Sequence, residues 1–231
     1  NADNKYCTEF LSDLKTPAVT FGLEEENNPD ILITNFKTSV DGTSFSYVYK
    51  NEEKTATSKI LGDHNALNLG ACILVADKLG MSDEEINDSI KNLTKITELI
   101  KYGNCTIIND SYNSNPDGFK AALNFLNTFP SEKRRIVVTR GILELAEQSA
   151  EIHELMGGEI SFIADELIIT KPDFVKPLKD GVVDKYKLEV REIFQPEDLL
   201  KYFKSIKDTD SVILLENRIL SNIMKEIGLK K

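Results

Sequence analysis

The polar residues from Asn109 to Pro116 supply a carboxylate, a phenol, hydroxyls and several side-chain amides within one short run. The run follows the apolar sequence Cys105-Thr106-Ile107-Ile108, which predicts the end of a buried strand, and it precedes a helical pattern that begins at Asp117. In an open α/β sheet, ligands bind outside the carboxyl ends of the strands. The run therefore predicts a binding site. Because Asn, Ser and Pro are also ordinary turn residues, the alternative is an Asx-rich turn that caps the helix.

Two further amides, Asn65 and Asn68, lie one turn apart near the start of a predicted helix, so both side chains should lie on the same face. Asp63 and His64 occupy the N-terminus of that helix. The alternative is that the two asparagines are solvated helix positions and that His64 is a surface group with satisfied hydrogen bonds.

Polar residues also follow the later predicted strands: Thr139-Arg140-Gly141, Thr170-Lys171 and Glu216-Asn217-Arg218. Because the carboxyl ends of parallel strands meet at one edge of a sheet, we expect these groups to converge there. Loops are polar in general, so the pattern supports a site at this edge without naming its ligand.

The first part of the chain predicts a small sheet covered by helices. Residues 3–15 predict a short helix or a tail. Alternating segments predict half-buried antiparallel strands at 18–21, 31–36, 44–49 and 55–60, the last two joined by a turn at 51–54.

The helix from about His64 to Leu79 is expected to cover this sheet. Gly80 should end that helix, and Ser82 with Glu85 predicts a capping box that starts a second helix to about Leu93. The predicted buried face of the first helix consists of Leu67, Ala71, Leu74 and Val75, widened by Cys72, Ala76 and Leu79.

From Lys95 onward, apolar strands alternate with helical patterns. Continuous apolar runs such as Val212-Ile213-Leu214-Leu215 predict burial on both faces, hence a mostly parallel, Rossmann-like sheet between two helix layers. The sequence therefore predicts an α/β fold of two domains, 1–94 and 95–231. The crossover 171–186 has room for only a short helix. The predicted order is strand 105–108, helix 117–127, strand 135–139, helix 143–156, strand 166–170, strand 187–192, helix 196–206, strand 212–215 and helix 218–227.

Charge and cysteine usage restrict the class of protein. The 28 basic and 38 acidic residues give a net charge of -10, which argues against nucleic acid or anionic membranes as partners. No run reaches the roughly 18 apolar residues of a membrane span, and no secretory signal opens the chain. Cys72 and Cys105 lie in apolar runs and are expected to be buried free thiols, which fits a reducing cytoplasm.

Three motifs together resemble the Mur ligases. Asp110-Ser111-Tyr112-Asn113-Ser114-Asn115-Pro116 is similar to the family signature D-[SD]-Y-N-[AS]-N-P, most closely in the branch that adds D-alanyl-D-alanine to a UDP-muramoyl peptide. Gly62 to Asn68 resembles G-x-H-N-x-x-N, and Glu144-Leu145 with His153 resembles E-L-G…H. The resemblance covers nearly the whole chain but only the C-terminal half of such an enzyme. The abrupt start at Asn1-Ala2 likewise suggests a piece of a longer protein.

The resemblance implies a reaction in three stages: ATP phosphorylates the carboxylate of a UDP-muramoyl peptide, an incoming amine attacks the acyl phosphate, and phosphate leaves. It implies ATP and Mg2+ as cofactors, D-alanyl-D-alanine or a similar amine as the second substrate, and a cytoplasmic monomer with no nucleic-acid partner and no membrane insertion.

The resemblance also implies roles for single residues. Asn65 and Asn68 would lie against the adenine, with His64 as a further candidate, and Asp110 would hold the ribose hydroxyls. The expected contacts to phosphates and incoming substrate are Tyr112, Asn113, Asn115, Arg140 and Asn217. No catalytic residue and no metal ligand is assigned within this chain.

The sequence departs from the family pattern in three places. No G-x-x-x-x-G-K-[ST] occurs, so we expect that this chain alone does not catalyse ligation. The family usually has an arginine before the strand that precedes the signature, and this chain has Lys95-Ile96-Thr97-Glu98 there. Lys95 or Lys101 would take the place of the arginine, but a lysine cannot form its two parallel hydrogen bonds to one anionic group.

Thr139-Arg140-Gly141 stands where the branch has G-D-M, and Leu215-Glu216-Asn217-Arg218 where it has K-G-[ST]-R. Glu216 thus reverses a charge, which bears on specificity for D-alanyl-D-alanine more than on the fold.

Other functions fit the sequence less well. One alternative is a regulatory or binding module that kept the fold and lost catalysis. A ligase of the same superfamily, for folylpolyglutamate or cyanophycin, is disfavoured by Tyr112 to Pro116. A dehydrogenase is disfavoured because no G-x-G-x-x-G follows a strand, and neither His64 nor His153 has an identifiable nucleophile partner for hydrolysis.

Overall fold

The structure is a computed structural model that describes residues 1–39, 42–60, 63–93, 98–111, 114–218 and 221–228, without the side chains of residues 63, 64, 98 and 221. The chain divides into two compact units, Asn1–Ile96 and Thr97–Lys231, and each is described by itself. In the described part of the chain, no helix has the length and apolar character that crossing a membrane requires.

The first unit is a four-stranded sheet in the order β1-β2-β3-β4. Strands β1 and β2 are parallel, whereas the pairs β2–β3 and β3–β4 are antiparallel. The inward side chains of the sheet pack with α2 and α3 in one core. Its elements are α1 (Lys5–Ser12), β1 (Phe21–Gly22), β2 (Ile31–Ser39), β3 (Gly42–Tyr49), β4 (Glu52–Ser58), α2 (Asp63–Lys78) and α3 (Asp83–Lys91).

The turn between β3 and β4 is shorter than predicted. Lys50 and Asn51 have φ values of 53° and 63°, and Tyr49 pairs with Glu52. Two consecutive residues with positive φ are typical of a two-residue type I′ turn, whose twist matches that of the flanking strands. The predicted turn at 51–54 was therefore wrong, because β4 begins at Glu52.

The buried face of helix α2 agrees with the predicted one only in part: Leu67, Leu74 and Ala76 belong to the core or pack against it, whereas Cys72, Val75 and Leu79 are exposed. Its buried residues include Ala66, Leu69, Ile73 and Leu74, whereas Val75 is 58% exposed. A Cβ atom on Gly70 would lie 2.5 Å from Ile33 Cδ1, so the glycine lets the helix approach β2 closely. Apolar residues occupy most sides of this helix, and the glycine selects the side that packs.

The ends of α2 and α3 follow the sequence prediction. Gly80 has a φ of 88° just after α2. At the start of α3, Ser82 N donates to Glu85 Oε2 at 2.8 Å while Ser82 Oγ accepts from Glu85 N at 3.3 Å. The predicted capping box is thus confirmed, and it satisfies two backbone donors that a helix start leaves open.

The second unit is a six-stranded sheet in the order β5-β6-β10-β7-β8-β9. All neighbours are parallel except β5, which is antiparallel to β6. Its elements are β5 (Glu98–Tyr102), β6 (Cys105–Asp110), α4 (Pro116–Asn127), β7 (Arg134–Thr139), α5 (Ser149–Ile163), β8 (Glu166–Ile169), α6 (Val175–Asp180), β9 (Glu189–Glu192), α7 (Pro196–Ile206), β10 (Ser211–Glu216) and α8 (Ser221–Glu226).

Helices cover both faces of this sheet. Alternate strand residues, among them Ile107, Ile136 and Ile213, share a core with residues of α7 and α8. Helix α4 packs on β10 and on α5. Because side chains alternate between the faces of a strand, Ile108, Val137 and Leu214 point to the face opposite that of their neighbours. The predicted α/β fold with a mostly parallel sheet is confirmed.

Three predictions about this unit need correction. Strand β5 was not predicted, and Asn109 and Asp110 end β6 rather than lie in the loop after it. The helix predicted over 143–156 begins at Ser149 and continues to Ile163. Glu144 and Ala146 have φ values of 66° and 49°, which an α-helix does not allow, so the chain reaches α5 through a short 3-10 turn.

The cysteines differ in exposure. Cys105 is buried and its Sγ donates to Ile206 O at 3.0 Å, whereas Cys72 and Cys7 are exposed. The prediction that Cys72 is buried was wrong, since α2 turns Ile73 and Leu74 toward the sheet instead.

The amino ends of β7, β8 and β9 meet around one buried carboxylate, Glu166, which is fully buried. Arg134 Nη2 lies 3.0 Å from its Oε2, Arg191 Nε lies 2.7 Å from its Oε1, and Tyr202 Oη donates to its Oε2 at 2.5 Å. A buried charge requires such partners, so this network fixes the edge of the sheet opposite the candidate site.

Candidate functional site

Three polar residues end three neighbouring strands at the carboxyl edge of the six-stranded sheet. In the strand register, Glu216 of β10 pairs with Asp110 of β6 on one side and with Thr139 of β7 on the other. Residues paired in register on adjacent parallel strands point to the same face of the sheet. The sheet order therefore places a hydroxyl and two carboxylates in one row, as the strand-end pattern predicts.

Glu216 is the buried member of this row. It is fully buried, its Oε2 accepts a hydrogen bond from Thr139 Oγ1, and its Oε1 has no hydrogen-bond partner. Burial raises the pKa of Glu216 to about 7; the Thr139 hydrogen bond lowers it, and the charge of Asp110 raises it further. Burial therefore favours the protonated form of this carboxyl group.

Asp110 is partly buried, and burial raises the pKa of its carboxyl group to about 6. The charge of Asp110 opposes ionisation of Glu216. Among the described residues Asp110 has no hydrogen-bond or ion-pair partner. Its oxygens are thus available to a ligand with hydroxyl donors.

The chain after β6 turns away through a local hydrogen-bonded turn. Asn109 Oδ1 accepts from Ser111 Oγ at 2.6 Å. Asn115 then caps α4, because its Oδ1 accepts from Gly118 N at 2.9 Å, and Pro116 occupies the first helical position. The predicted alternative, an Asx turn with a helix cap, therefore describes these two asparagines. Tyr112 and Asn113 lie outside the described residues.

The loop after β7 is held by side chains from several elements. Thr139 Oγ1 accepts from Gly141 N at 2.9 Å, and His153 Nε2 accepts from Ile142 N at 2.9 Å. Gly141 has a φ of 78°, and a Cβ atom there would lie 2.5 Å from the ring of Phe174. Only glycine fits this position.

Asn217 joins the loop after β10 to the loop after β7. Its φ is 60°, its Nδ2 donates to Gly141 O at 2.5 Å, and its Oδ1 accepts from Arg218 N at 2.7 Å. Both ends of the amide are therefore used within the protein. A contact from Asn217 to substrate stays a prediction.

Arg140 lies between Thr139 and Gly141 in the loop after β7, and both of these residues are held by hydrogen bonds. It is partly buried, its Nε has no hydrogen-bond partner, and no ion pair joins it to another described residue. A guanidinium without an internal partner can bind a carboxylate or phosphate group in a bidentate manner. Its position at the strand edge follows the sequence prediction.

The asparagines of α2 belong to the first unit. Asn68 Nδ2 donates to Asn65 Oδ1 at 3.3 Å, so the two amides lie on one face as predicted. Asn68 is exposed and Asn65 is partly buried. His64 lies in the first turn of α2, but its side chain is outside the described groups, so its role stays a prediction.

Sequence reasoning missed the internal partners of this site. Glu216 was considered only for its charge, and Thr139 only as one residue of a substrate loop. The missing signal is long-range, because the hydrogen bond between them joins residues 77 positions apart.

Two family models match the chain. The Mur ligase middle domain matches residues 1–76, and the Mur ligase glutamate ligase domain matches residues 97–216, which is more than half of the chain. The chain belongs to the Mur ligase family.

Relatives within the Mur ligases agree with this assignment. The UDP-N-acetylmuramoyl-tripeptide--D-alanyl-D-alanine ligase of Bacillus subtilis is 27% identical over 203 residues, covering 85% of this chain and 43% of that protein. The ligase of the same name from Buchnera aphidicola is 30% identical over 169 residues, covering 69% of this chain and 35% of that protein. The chain thus spans less than half the length of these relatives.

Solved Mur ligase structures share the fold. MurF from Acinetobacter baumannii superposes with a TM-score of 0.70 at 20% identity, covering 90% of this chain and 45% of that chain. MurF from Thermotoga maritima in complex with ADP gives a TM-score of 0.68 at 18% identity, covering 90% of this chain and 47% of that chain. At these identities the likeness concerns the fold.

Proposed function

We propose that this chain forms part of an ATP-dependent amide ligase of peptidoglycan precursor synthesis. The ligase would join an amine, D-alanyl-D-alanine in the first instance, to the carboxylate of a UDP-muramoyl peptide. The proposal assigns residues 1–94 to the middle domain and residues 95–231 to the C-terminal domain. Support comes from both family models and from the names of the most similar relatives. The observation that carries it is the row of Asp110, Glu216 and Thr139 at the carboxyl edge of the sheet.

Asp110 of the second unit fits the ribose of an adenine nucleotide. A half-buried carboxylate without an internal partner can accept both hydroxyl groups of a ribose. For the first unit, the resemblance to the Mur ligases supports Asn65 and Asn68, whose amides lie on one face of α2, as contacts to adenine. A bound ATP supplies the phosphoryl group that activates the acceptor carboxylate. Within the described residues no group of three or more metal-binding side chains occurs.

Arg140 is the residue we propose to bind the incoming amine substrate. Its guanidinium lacks an internal partner and sits on a loop whose backbone is fixed on both sides of Gly141. A dipeptide such as D-alanyl-D-alanine carries a terminal carboxylate that a guanidinium can hold through two hydrogen bonds. Holding this end orients the amine at the other end of the dipeptide for attack.

Phosphate release by the full-length protein that contains these residues tests the proposal. The assay contains ATP, UDP-muramoyl-tripeptide and one amine at a time: D-alanyl-D-alanine, its C-terminal amide, single D- or L-amino acids, or none. We expect release with D-alanyl-D-alanine and much weaker release with the C-terminal amide. Release with another amine would retain the ligase and change its specificity. A folded protein that releases no phosphate with any amine would contradict the proposal and favour a binding or regulatory module.

A further inference from the structure

His153 lies entirely within the protein, 11 residues after the loop that it contacts. Its Nδ1 is 2.6 Å from the carbonyl oxygen of Ser149, and its Nε2 is 2.9 Å from the backbone nitrogen of Ile142. A carbonyl oxygen can only accept a hydrogen bond and a backbone N–H can only donate one. Nδ1 must therefore carry the proton and Nε2 must be bare. The two backbone partners fix both the neutral charge state and the tautomer of the imidazole.

The surroundings of His153 prevent the ring from turning. Phe174 stacks on it with the ring centroids 4.4 Å apart and the planes inclined by 19°. A Cβ atom on Gly141 would lie 2.7 Å from Nε2 and 2.5 Å from the ring of Phe174, so the backbone of the β7 loop is in close contact with both stacked rings. The imidazole is thus packed against Phe174 and the loop, with its acceptor directed at Ile142.

Three elements hold consecutive backbone groups of this loop. Thr139 of β7 binds Gly141 N–H, Asn217 after β10 binds Gly141 C=O, and His153 of α5 binds Ile142 N–H. We propose that His153 is a positioning residue: as the Nδ1–H tautomer it fixes Ile142 and Gly141, and thereby sets where the loop presents Arg140 to the incoming amine substrate. The link to Arg140 and the amine rests on the proposed function, whereas the fixing of the loop does not.

Amide hydrogen exchange tests the fixing of the loop without any activity. In the full-length protein, His153→Leu fills a similar space but offers no acceptor to Ile142 N–H, so exchange at Ile142 should accelerate at least tenfold. His153→Gln retains an acceptor oxygen and should restore most of the protection. The matched control is Ser161→Ala, which removes two partly buried hydrogen bonds from the same helix without touching the loop. Unchanged exchange at Ile142 in folded His153→Leu would overturn the proposal.

Nitrogen NMR of the imidazole provides a second readout in the unmutated ring. In the full-length protein, the imidazole signals that are absent from the His153→Gln variant belong to His153. We expect a protonated Nδ1 and a bare Nε2. A proton on Nε2 would overturn the proposal even if His153→Leu fails to fold.

Phosphate release then tests the link to the substrate. His153→Leu should raise the KM for the incoming amine about tenfold with a smaller change in kcat, while Ser161→Ala leaves both unchanged and His153→Gln stays within about threefold of wild type. Equal KM values in His153→Leu and wild type would remove the positioning role. No release from the wild-type protein would instead contradict the proposed function, and hydrogen exchange and NMR would still decide the role of His153 in fixing the loop.

Discussion

Asp110 is the described residue whose free hydrogen-bonding capacity most directly suggests a ligand. Its carboxylate sits at the end of a central strand, partly buried, with no partner among the described residues. A charged hydrogen bond to a ligand contributes roughly 1.5–3 kcal/mol. We therefore expect Asp110→Ala in the full-length protein to raise the KM for ATP about tenfold or more while leaving the fold intact.

Asp208→Ala is the matched control for this substitution. Asp208 is exposed and lies between α7 and β10, at the amino edge of the same sheet. Its removal should leave the KM for ATP unchanged. If Asp110→Ala gives the same KM as Asp208→Ala, Asp110 does not bind the nucleotide.

Glu216 makes the stability of the second unit depend on pH. Its folded-state pKa is raised to about 7, mainly by burial, whereas in the unfolded chain it titrates near its ordinary value of 4.5. Between these values the folded state binds more protons than the unfolded state, so stability falls as the pH rises from about 4.5 through 7. Since one pKa unit corresponds to about 1.4 kcal/mol, the loss is on the order of 3 kcal/mol.

Urea denaturation at pH 5 and pH 8 measures this effect. Glu216→Gln keeps an oxygen for the Thr139 hydroxyl and cannot ionise, so it should be more stable than wild type at pH 8 and should depend less on pH. Glu147→Gln on the exposed surface is the control and should follow the wild-type curve. A Glu216→Gln variant with the wild-type pH dependence would show that Glu216 is not the responsible group.

At the scale of elements, the amino ends of β7, β8 and β9 depend on Glu166. Its removal would leave the Tyr202 hydroxyl without its acceptor, whereas Arg134 and Arg191, with 41% and 47% side-chain exposure, would keep Glu189 as a partner. A hydrogen bond to a charged group contributes roughly 1.5–3 kcal/mol. We therefore expect Glu166→Ala to cost about 2–3 kcal/mol, mainly through the lost hydrogen bond of Tyr202.

Glu189→Gln provides the comparison for Glu166→Ala. Glu189 pairs with the same two arginines but its side chain is 46% exposed. An exposed pair contributes at most about 1 kcal/mol, so this variant should unfold close to wild type in urea. Equal losses in the two variants would show that burial of Glu166 does not govern the strength of the network.

Helices and strands were predicted correctly where nearby residues mark a boundary, and incorrectly where no such residues occur. The capping box was predicted from Ser82 and Glu85, and the helix at 196–206 was predicted with the bounds that the structure shows. Strand β5 carries little apolar alternation, and its place as the antiparallel edge strand depends on pairing with β6. Helix α5 starts late because Glu144 and Ala146 have positive φ values. Neither glutamate nor alanine favours positive φ, so the sequence did not indicate this start.

At the scale of the whole molecule, the two units have separate hydrophobic cores. Ile73 of α2 is 2% exposed in the core of the first unit, so Ile73→Ala should cost about 2–5 kcal/mol. The resulting increase in amide hydrogen exchange should be larger in β2 and β3 than in β6 and β10, because the lost contacts belong to the first core.

Val75→Ala is the control on the same helix. Val75 is 58% exposed, so its truncation should change stability by no more than about 0.5 kcal/mol. The pair also tests the helix face, since the sequence prediction placed Val75 in the core. A larger loss of stability from Val75→Ala than from Ile73→Ala would show that the predicted face, which includes Val75, is the buried one.

The sequence by itself determined the family motifs, the α/β class and the strand ends where polar groups collect. Those features are local, because strand and helix periodicity, turn chemistry and motif spacing are written within a few neighbouring residues. The tertiary structure decided which groups meet. Thr139 binds Glu216 and Asn217 binds Gly141 across 77 and 76 residues of sequence, because β10 inserts between β6 and β7. That strand order, and the burial that raises the pKa of Glu216, arise from long-range packing, which local periodicity does not encode.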